Sequence, residues 1–304
     1  MTGTSDTFAR SCEHWSDEGR DEMEAFYELA RVDYRYLAEA YDWAGAFQAL
    51  ARRTLTDKNS GVRLADIACG SGKFPQALLT YAEVANLGAD ITINYDLLDP
   101  SRFSLSEAKH ALASPFRVGD EFCCTLQDWN VTPGYYDIAW ATHALYCVPA
   151  EELEQALACM CNALSLTGFG FVAQGMRDGH YVGFYDQFLA AMSNGQGTPY
   201  SDGAQVAKVL ENLGMAVRTR VIEYTTLVPA DRPELLESYL QRCAFDDTFS
   251  LDEMRSYEPL ATYLASCRDP ESGDYRFTQR VGMSLFAHTE TGLILHDVES
   301  AGIA

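Results

Sequence analysis

Between residues 62 and 174 the chain switches repeatedly between a strand-like and a helix-like hydrophobic period, and that alternation limits its fold more than any other feature. Strand-like runs are VRLADIAC (62–69), ITINYDLLD (91–99), EFCCTLQDW (121–129), YYDIAWATH (135–143) and TGFGFVAQ (167–174). Apolar residues at helical spacing fill PQALLTYAEVANLG (75–88), SRFSLSEAKHALAS (101–114) and AEELEQALACMCNAL (150–164), and Ser101 stands where an N-cap belongs. Strands that alternate with helices pair mostly in parallel, because each helix carries the chain back along one face of the sheet. The expected fold is therefore α/β, with a largely parallel sheet and helices on both faces.

The flanks add helices to this core. Residues 1–22 are polar and acid-rich and are expected to be poorly ordered, whereas 23–60 carries amphipathic helical patterns that end at the polar break TDKNSG. Beyond residue 200, a helix at 203–214 precedes the β-prone run AVRTRVIEYTTLV (216–228). Residues 233–267 have a helical pattern with a break near 245–250, and YRFTQRVGMSLFAH (275–288) is the last strand. No repeat or long linker interrupts the chain, so the expectation is one domain over 23–290: a helical lid (23–60), a ligand-binding core (61–230), a helical insertion (231–272) and the last strand (273–290), followed by a tail (291–304).

Composition narrows the partners. The 304 residues contain 44 acids against 22 Lys and Arg, a formal charge of −22 that disfavours nucleic acid and anionic membrane surfaces and suits a small neutral or cationic ligand. No run approaches the roughly 18 consecutive apolar residues of a membrane span, and the first 20 residues lack the apolar stretch of a signal peptide. A cytosolic protein is expected. The nine cysteines, Cys123 and Cys124 among them, follow no paired metal-ligand spacing and are read as reduced thiols, so no metal is expected.

The glycine turn DIACGSG (66–72) identifies a kind of ligand by elimination. A nucleoside-triphosphate loop requires Gly at 67 and Ser or Thr at 74, where Ile67 and Phe74 stand. A dinucleotide fingerprint needs a small residue at 75, which is Pro75. What is left is a turn bearing an acid, Asp66, which repels a phosphate but accepts a hydrogen bond from a cationic amino group. Asp99, at the carboxyl end of the second strand, is placed to accept from both hydroxyls of a ribose, with Asp96 as its competitor. An amino acid joined to a nucleoside meets both demands. Asp128, in LQDW, is a candidate acceptor for an adenine amine with Trp129 or its neighbours against the ring, although taken alone it reads rather as a turn residue before an Asn.

Four stretches in order, DIACGSG, LLDPS, LQDW and YYDIAWATHALYCVP, resemble motif I, the acidic motif II, the adenine-side loop and the motif IV strand of class I S-adenosylmethionine-dependent methyltransferases. A narrower similarity, to the histamine N-methyltransferase type, is carried by INYDLLDPS, ATHALYCV and the helical segment before the last strand. The resemblance implies a Rossmann-like seven-stranded, mostly parallel sheet with its last strand antiparallel, and S-adenosylmethionine as cofactor. It implies that Asp66, Ala68, Gly70, Gly72, Asp99, Pro100, Ser101, Asp128, Trp129 and Thr142 hold that cofactor.

The implied activity is methyl transfer to a small molecule by in-line displacement, nitrogen slightly preferred over oxygen or carbon. Two alternatives stay open: a non-catalytic binding module and other chemistry on the same cofactor. His143, just past the fourth strand, is the candidate general base, with an equal reading as a neutral pocket residue. Tyr146, His180 and Tyr181 lie where a substrate would sit. Of the amino-terminal tyrosines Tyr27, Tyr34, Tyr36 and Tyr41, the ones chosen as substrate contacts are Tyr36 and Tyr41, and Glu39 is the candidate substrate-binding acid. The sequence is silent on oligomeric state.

Overall fold

The computed structural model describes residues 10, 11, 29, 33–54, 61–290 and 293. The rest of the 1–22 segment, Tyr27, and the 291–304 tail apart from residue 293 lie outside the described residues.

Seven strands form one sheet among these residues: β1 (Val62–Ile67), β2 (Ile93–Leu98), β3 (Phe116–Phe122), β4 (Tyr136–Thr142), β5 (Leu164–Gly175), β6 (Ala216–Val228) and β7 (Tyr275–Ala287). Their order is β3-β2-β1-β4-β5-β7-β6. β1 to β5 pair in parallel, and β7 runs antiparallel to both β5 and β6. The mostly parallel sheet with a reversed last strand is the expected one. The strand order reverses between β1 and β4, a switch point where the carboxyl ends of the central strands open a crevice.

Strand alternation divides the core in two. On one face α1 (Trp43–Thr54), α2 (Lys73–Tyr81) and α3 (Arg102–Ala111) cover Leu64, Tyr95, Ile138 and Trp140. On the other α4 (Leu153–Ala163) and α6 (Gly203–Asn212) cover Ala65, Ile67, Ala139 and Ala141. The buried strands read as near-continuous apolar runs because both faces are covered. A third apolar cluster joins α5 (His180–Met192), α7 (Pro233–Ala244), α8 (Leu251–Met254) and α9 (Leu260–Ser266) to Val228, Tyr275 and Phe277 at the outer ends of β6 and β7.

Local chemistry sets the element ends. Ser101 caps α3, its hydroxyl accepting the Ser104 N–H at 3.2 Å. Asp202 with Gln205 and Ser250 with Glu253 form capping boxes on α6 and α8. The 233–267 helical pattern resolves into α7, α8 and α9, broken at Phe245, whose φ of 48° ends α7 in the left-handed region.

Two elements differ from expectation. The third strand is FRVGDEF, not EFCCTLQDW; Gly119 and Asp120 weaken its alternation, and the Asp96 carboxylate takes the Asp120 N–H at 2.8 Å where the pairing with β2 shifts register. Helix α5 was not anticipated, because HYVGFYDQFLAAM is apolar on nearly every side and so shows little helical contrast: Val182, Phe184, Tyr185, Phe188 and Leu189 are all buried.

Candidate functional site

A cavity opens at the carboxyl ends of β1, β2 and β4, bordered there by Ile67, Leu98 and Thr142. The glycine turn forms its floor. Ala68 and Gly70 both border the cavity with a φ of 51°, and the turn is tied to β2 by the Cys69 N–H, which donates to the Leu98 carbonyl at 3.1 Å. Gly70 adopts this geometry without steric cost. Gly72 does not line the cavity. It caps α2 at φ 71°, and a Cβ there would sit 2.8 Å from the Ala111 Cβ, so its role is to let α2 approach α3.

Asp99 lines the cavity and is buried. One carboxylate oxygen accepts the Gly70 N–H at 3.0 Å and the other the Ser101 N–H at 2.8 Å. Burial raises its pKa to about 6, opposed by these two N–H groups. Each oxygen keeps a further lone pair, so the group can accept one more hydrogen bond per oxygen, the demand a vicinal diol makes. Pro100 and Ser101 border the same wall. Asp96, the competitor, faces away and accepts from the Tyr136 hydroxyl at 2.8 Å.

Several expected residues lie elsewhere. Asp66 is absent from the lining: it is buried beneath it and accepts the Tyr95 hydroxyl at 2.6 Å, and burial raises its pKa to about 7. Asp128 is exposed and takes the Thr125 hydroxyl at 2.9 Å. Trp129 is buried against Phe122 and Tyr136, with ring centroids 5.9 and 5.5 Å away. The cavity wall in that loop is instead Thr125, Leu126 and Gln127, the residues just before both.

At the other end the cavity is bordered by Asp33, Tyr34, His143, Tyr146, Tyr181 and Gln279. His143 holds φ 53°, its N–H donating to the Ala173 carbonyl at 2.8 Å, and its Nδ1 lies 2.9 Å from the Tyr146 hydroxyl. Burial lowers the His143 pKa to about 4, so the imidazole is neutral near pH 7. Gln279 gives its amide N–H groups to Thr226 and Tyr239 at 3.2 and 2.9 Å, which leaves its carbonyl oxygen as the group it can offer a ligand.

Asp33 was missed by sequence reasoning. Its Oδ1 is buried without a hydrogen-bond partner among the described residues, and burial raises its pKa to about 7, with the Tyr224 phenol opposing. The expected acid, Glu39, lies off the cavity and pairs with Arg35 at 2.8 Å. Residues 33–39 are helical, and helical period separates the two: Asp33 shares a stripe with the fully buried Leu37, whereas Glu39 falls on the stripe of Arg35. The signal was an acid on the apolar stripe.

The tyrosine choices are corrected in the same way. Tyr36 stacks on Tyr224 at 4.4 Å, and Tyr41 is buried edge-on to Trp43 and Phe171, neither bordering the cavity; Tyr34 does. His180 opens α5 and is buried in the third cluster, its Nδ1 2.8 Å from the Tyr263 hydroxyl and its ring 4.1 Å from Phe277. It is not part of the wall. The described cysteines are free thiols, and among the described residues no group of three or more His, Cys, Asp or Glu is placed to hold a metal ion. No helix of the described residues is long and apolar enough to cross a membrane.

No family model matches the sequence, and no curated protein matches it. Solved structures do. A candidate methyltransferase from Bacillus halodurans C-125 superposes with a TM-score of 0.51 at 11% identity, over 81% of this chain and 98% of that one. The YcgJ protein from Bacillus subtilis gives a TM-score of 0.50 at 12% identity, over 81% and 98% of the two chains. The fold shared with these two structures is a Rossmann-like seven-stranded, mostly parallel sheet, and they do not single out the histamine N-methyltransferase type.

Proposed function

We propose that this protein is an S-adenosylmethionine-dependent methyltransferase whose acceptor is the nitrogen of a small amine. The observation that carries the proposal is one cavity with a carboxylate at each end: Asp99, half-satisfied by two backbone N–H groups, and Asp33, with a buried unpaired oxygen. Asp99 would hold the ribose hydroxyls, the Ala68–Gly70 turn would receive the amino acid portion, and Thr125, Leu126 and Gln127 would serve the adenine. When bound, the cofactor would supply a methyl group on a cationic sulfonium, whose C–S bond breaks as an aligned amine lone pair bonds to the methyl carbon, with neutral S-adenosylhomocysteine leaving and no covalent enzyme intermediate.

The residues at the far end provide alignment and proton handling. A protonated amine would pair with Asp33, in a wall that also includes the aromatic rings of Tyr34 and Tyr181. Before its lone pair can attack, the ammonium must lose a proton, and Asp33 Oδ1, with a pKa near 7, is matched to receive it. His143, at about 4, is the poorer base. Alignment of nucleophile, methyl carbon and sulfur in a water-poor cavity supplies most of the rate.

The test is to incubate the protein with S-adenosylmethionine and a panel of small amines, phenols and carboxylic acids, and to follow methylated products by mass spectrometry. Methylation of amines that Asp33→Asn abolishes supports the proposal. Methylation confined to phenols or carboxylates overturns the amine assignment, and no product from any class favours a binding module.

A further inference from the structure

The Tyr146 hydroxyl lies between two partners. It accepts the Gly175 N–H at 2.9 Å and lies 2.9 Å from the Nδ1 of His143. Burial, opposed by that Gly175 N–H, raises the Tyr146 phenol, so it keeps its proton. The Nε2 of His143 is buried and has no hydrogen-bond partner among the described residues, although His143 borders the cavity.

Two proton arrangements are conceivable for a neutral imidazole. In one, Nδ1–H donates to the phenol oxygen; the phenol O–H and the Nε2 lone pair are then both buried without a partner. In the other, the phenol O–H donates to Nδ1, and the Nε2–H alone waits for one. Buried donors left unpaired are costly, so the second arrangement is favoured. The surroundings hold the pair together: the Gly175 N–H fixes the Tyr146 hydroxyl, and the Ala173 carbonyl fixes the backbone from which the His143 ring reaches it.

We propose that Tyr146 is a positioning residue that fixes His143 in its Nε2–H tautomer, so that His143 offers the ligand a hydrogen-bond donor instead of a base. The acceptor end of the cavity then presents one donor, His143, beside two acceptors, the Asp33 carboxylate and the Gln279 carbonyl. The substrate that satisfies all three is an amine that also bears a neutral acceptor atom, such as a carbonyl or ether oxygen or an aromatic ring nitrogen. The substrate class rests on the methyltransfer proposal; the tautomer does not.

The first experiment therefore needs no ligand. Long-range ¹⁵N–¹H correlation spectra of histidine-labelled full-length protein, with His143→Gln used to assign the resonance, report which ring nitrogen carries the proton. Protonation at Nε2 in wild type, giving way to a mixture in Tyr146→Phe, is the expected result. Protonation at Nδ1 in wild type overturns the proposal, and an unchanged Nε2–H tautomer in Tyr146→Phe removes Tyr146 as the residue that sets it.

The second experiment reads the donor role. His143→Ala is expected to lower kcat/KM by about ten- to a hundredfold, the size of a lost buried hydrogen bond, and His143→Gln, which restores an N–H without basicity, to recover most of that loss. A Gln variant as impaired as the Ala variant overturns the donor role in favour of the base. Absence of methyltransferase activity in wild type would refute the proposed function while leaving the spectroscopic result to stand.

Discussion

Replacing Asp99 by Asn isolates the contact on which the proposed cofactor binding rests. In the wild type the two carboxylate oxygens take Gly70 and Ser101 N–H groups at 3.0 and 2.8 Å and each retains a lone pair for a ribose hydroxyl. Asn keeps one acceptor and turns the other into a donor. Whichever way the amide is turned, it faces one of the two backbone N–H groups, so one turn contact and one hydroxyl contact are lost together. The turn contact is shared by free and bound protein, so the lost hydroxyl contact sets the change in affinity: about 1.5–3 kcal/mol for a hydrogen bond to a charged group, a weakening of about 10- to 150-fold. Titration of both proteins with S-adenosylhomocysteine from pH 5 to 8 reads this directly. Because the ionised form accepts best and the free-state pKa is about 6, wild-type affinity should be level above pH 7 and weaken as pH falls below 6. That acid arm should vanish in Asp99→Asn. An Asn variant that binds within threefold of wild type would refute the reasoning.

Other variants test other parts of the account. Asp66→Asn should leave S-adenosylhomocysteine affinity within threefold, since Asp66 lies beneath the cavity wall. It should also raise Tm. The folded-state pKa of about 7 exceeds the ordinary 3.8, so Asp66 costs stability increasingly as pH rises from 4 through 7. The gain, about 1–3 kcal/mol at pH 8 after the new amide donor is counted, should shrink toward pH 4, as paired thermal melts will report. Gly72→Ala, with φ 71° and an Ala111 contact of 2.8 Å, should cost about 2–4 kcal/mol in denaturant unfolding. Tyr34→Ala should raise the KM of an amine substrate, whereas Tyr36→Ala, which loses its stack on Tyr224, should lower Tm and leave KM within twofold.

The fold was legible where local period and caps agree. Ser101 stands at an N-cap in the sequence and caps α3 in the structure, and Ala216–Val228 reads as a strand from end to end. The place of Asp99 and Gly70 at the cavity was legible because a strand end and a glycine turn dictate backbone position. Side-chain direction was less so. Asp66 and Asp99 both stand at strand ends, yet only Asp99 follows the end of its strand and reaches the crevice, whereas Asp66 is still paired within β1 and turns into the core beside Tyr95. His180, expected beside the substrate, is buried instead at the start of a helix that the sequence hides because its residues are apolar on nearly every side. Asp33 is legible only as an acid on the apolar stripe that Leu37 marks, whereas Glu39 lies on the stripe of Arg35 and pairs with it.

The central claim is that the cavity between Asp99 and Asp33 is built for S-adenosylmethionine, and calorimetric titration of the wild-type protein with S-adenosylmethionine and S-adenosylhomocysteine tests it most directly. The account predicts saturable one-to-one binding of both ligands, lost to the same degree in Asp99→Asn. Heats no larger than dilution for both ligands, or binding that Asp99→Asn leaves intact, would contradict it.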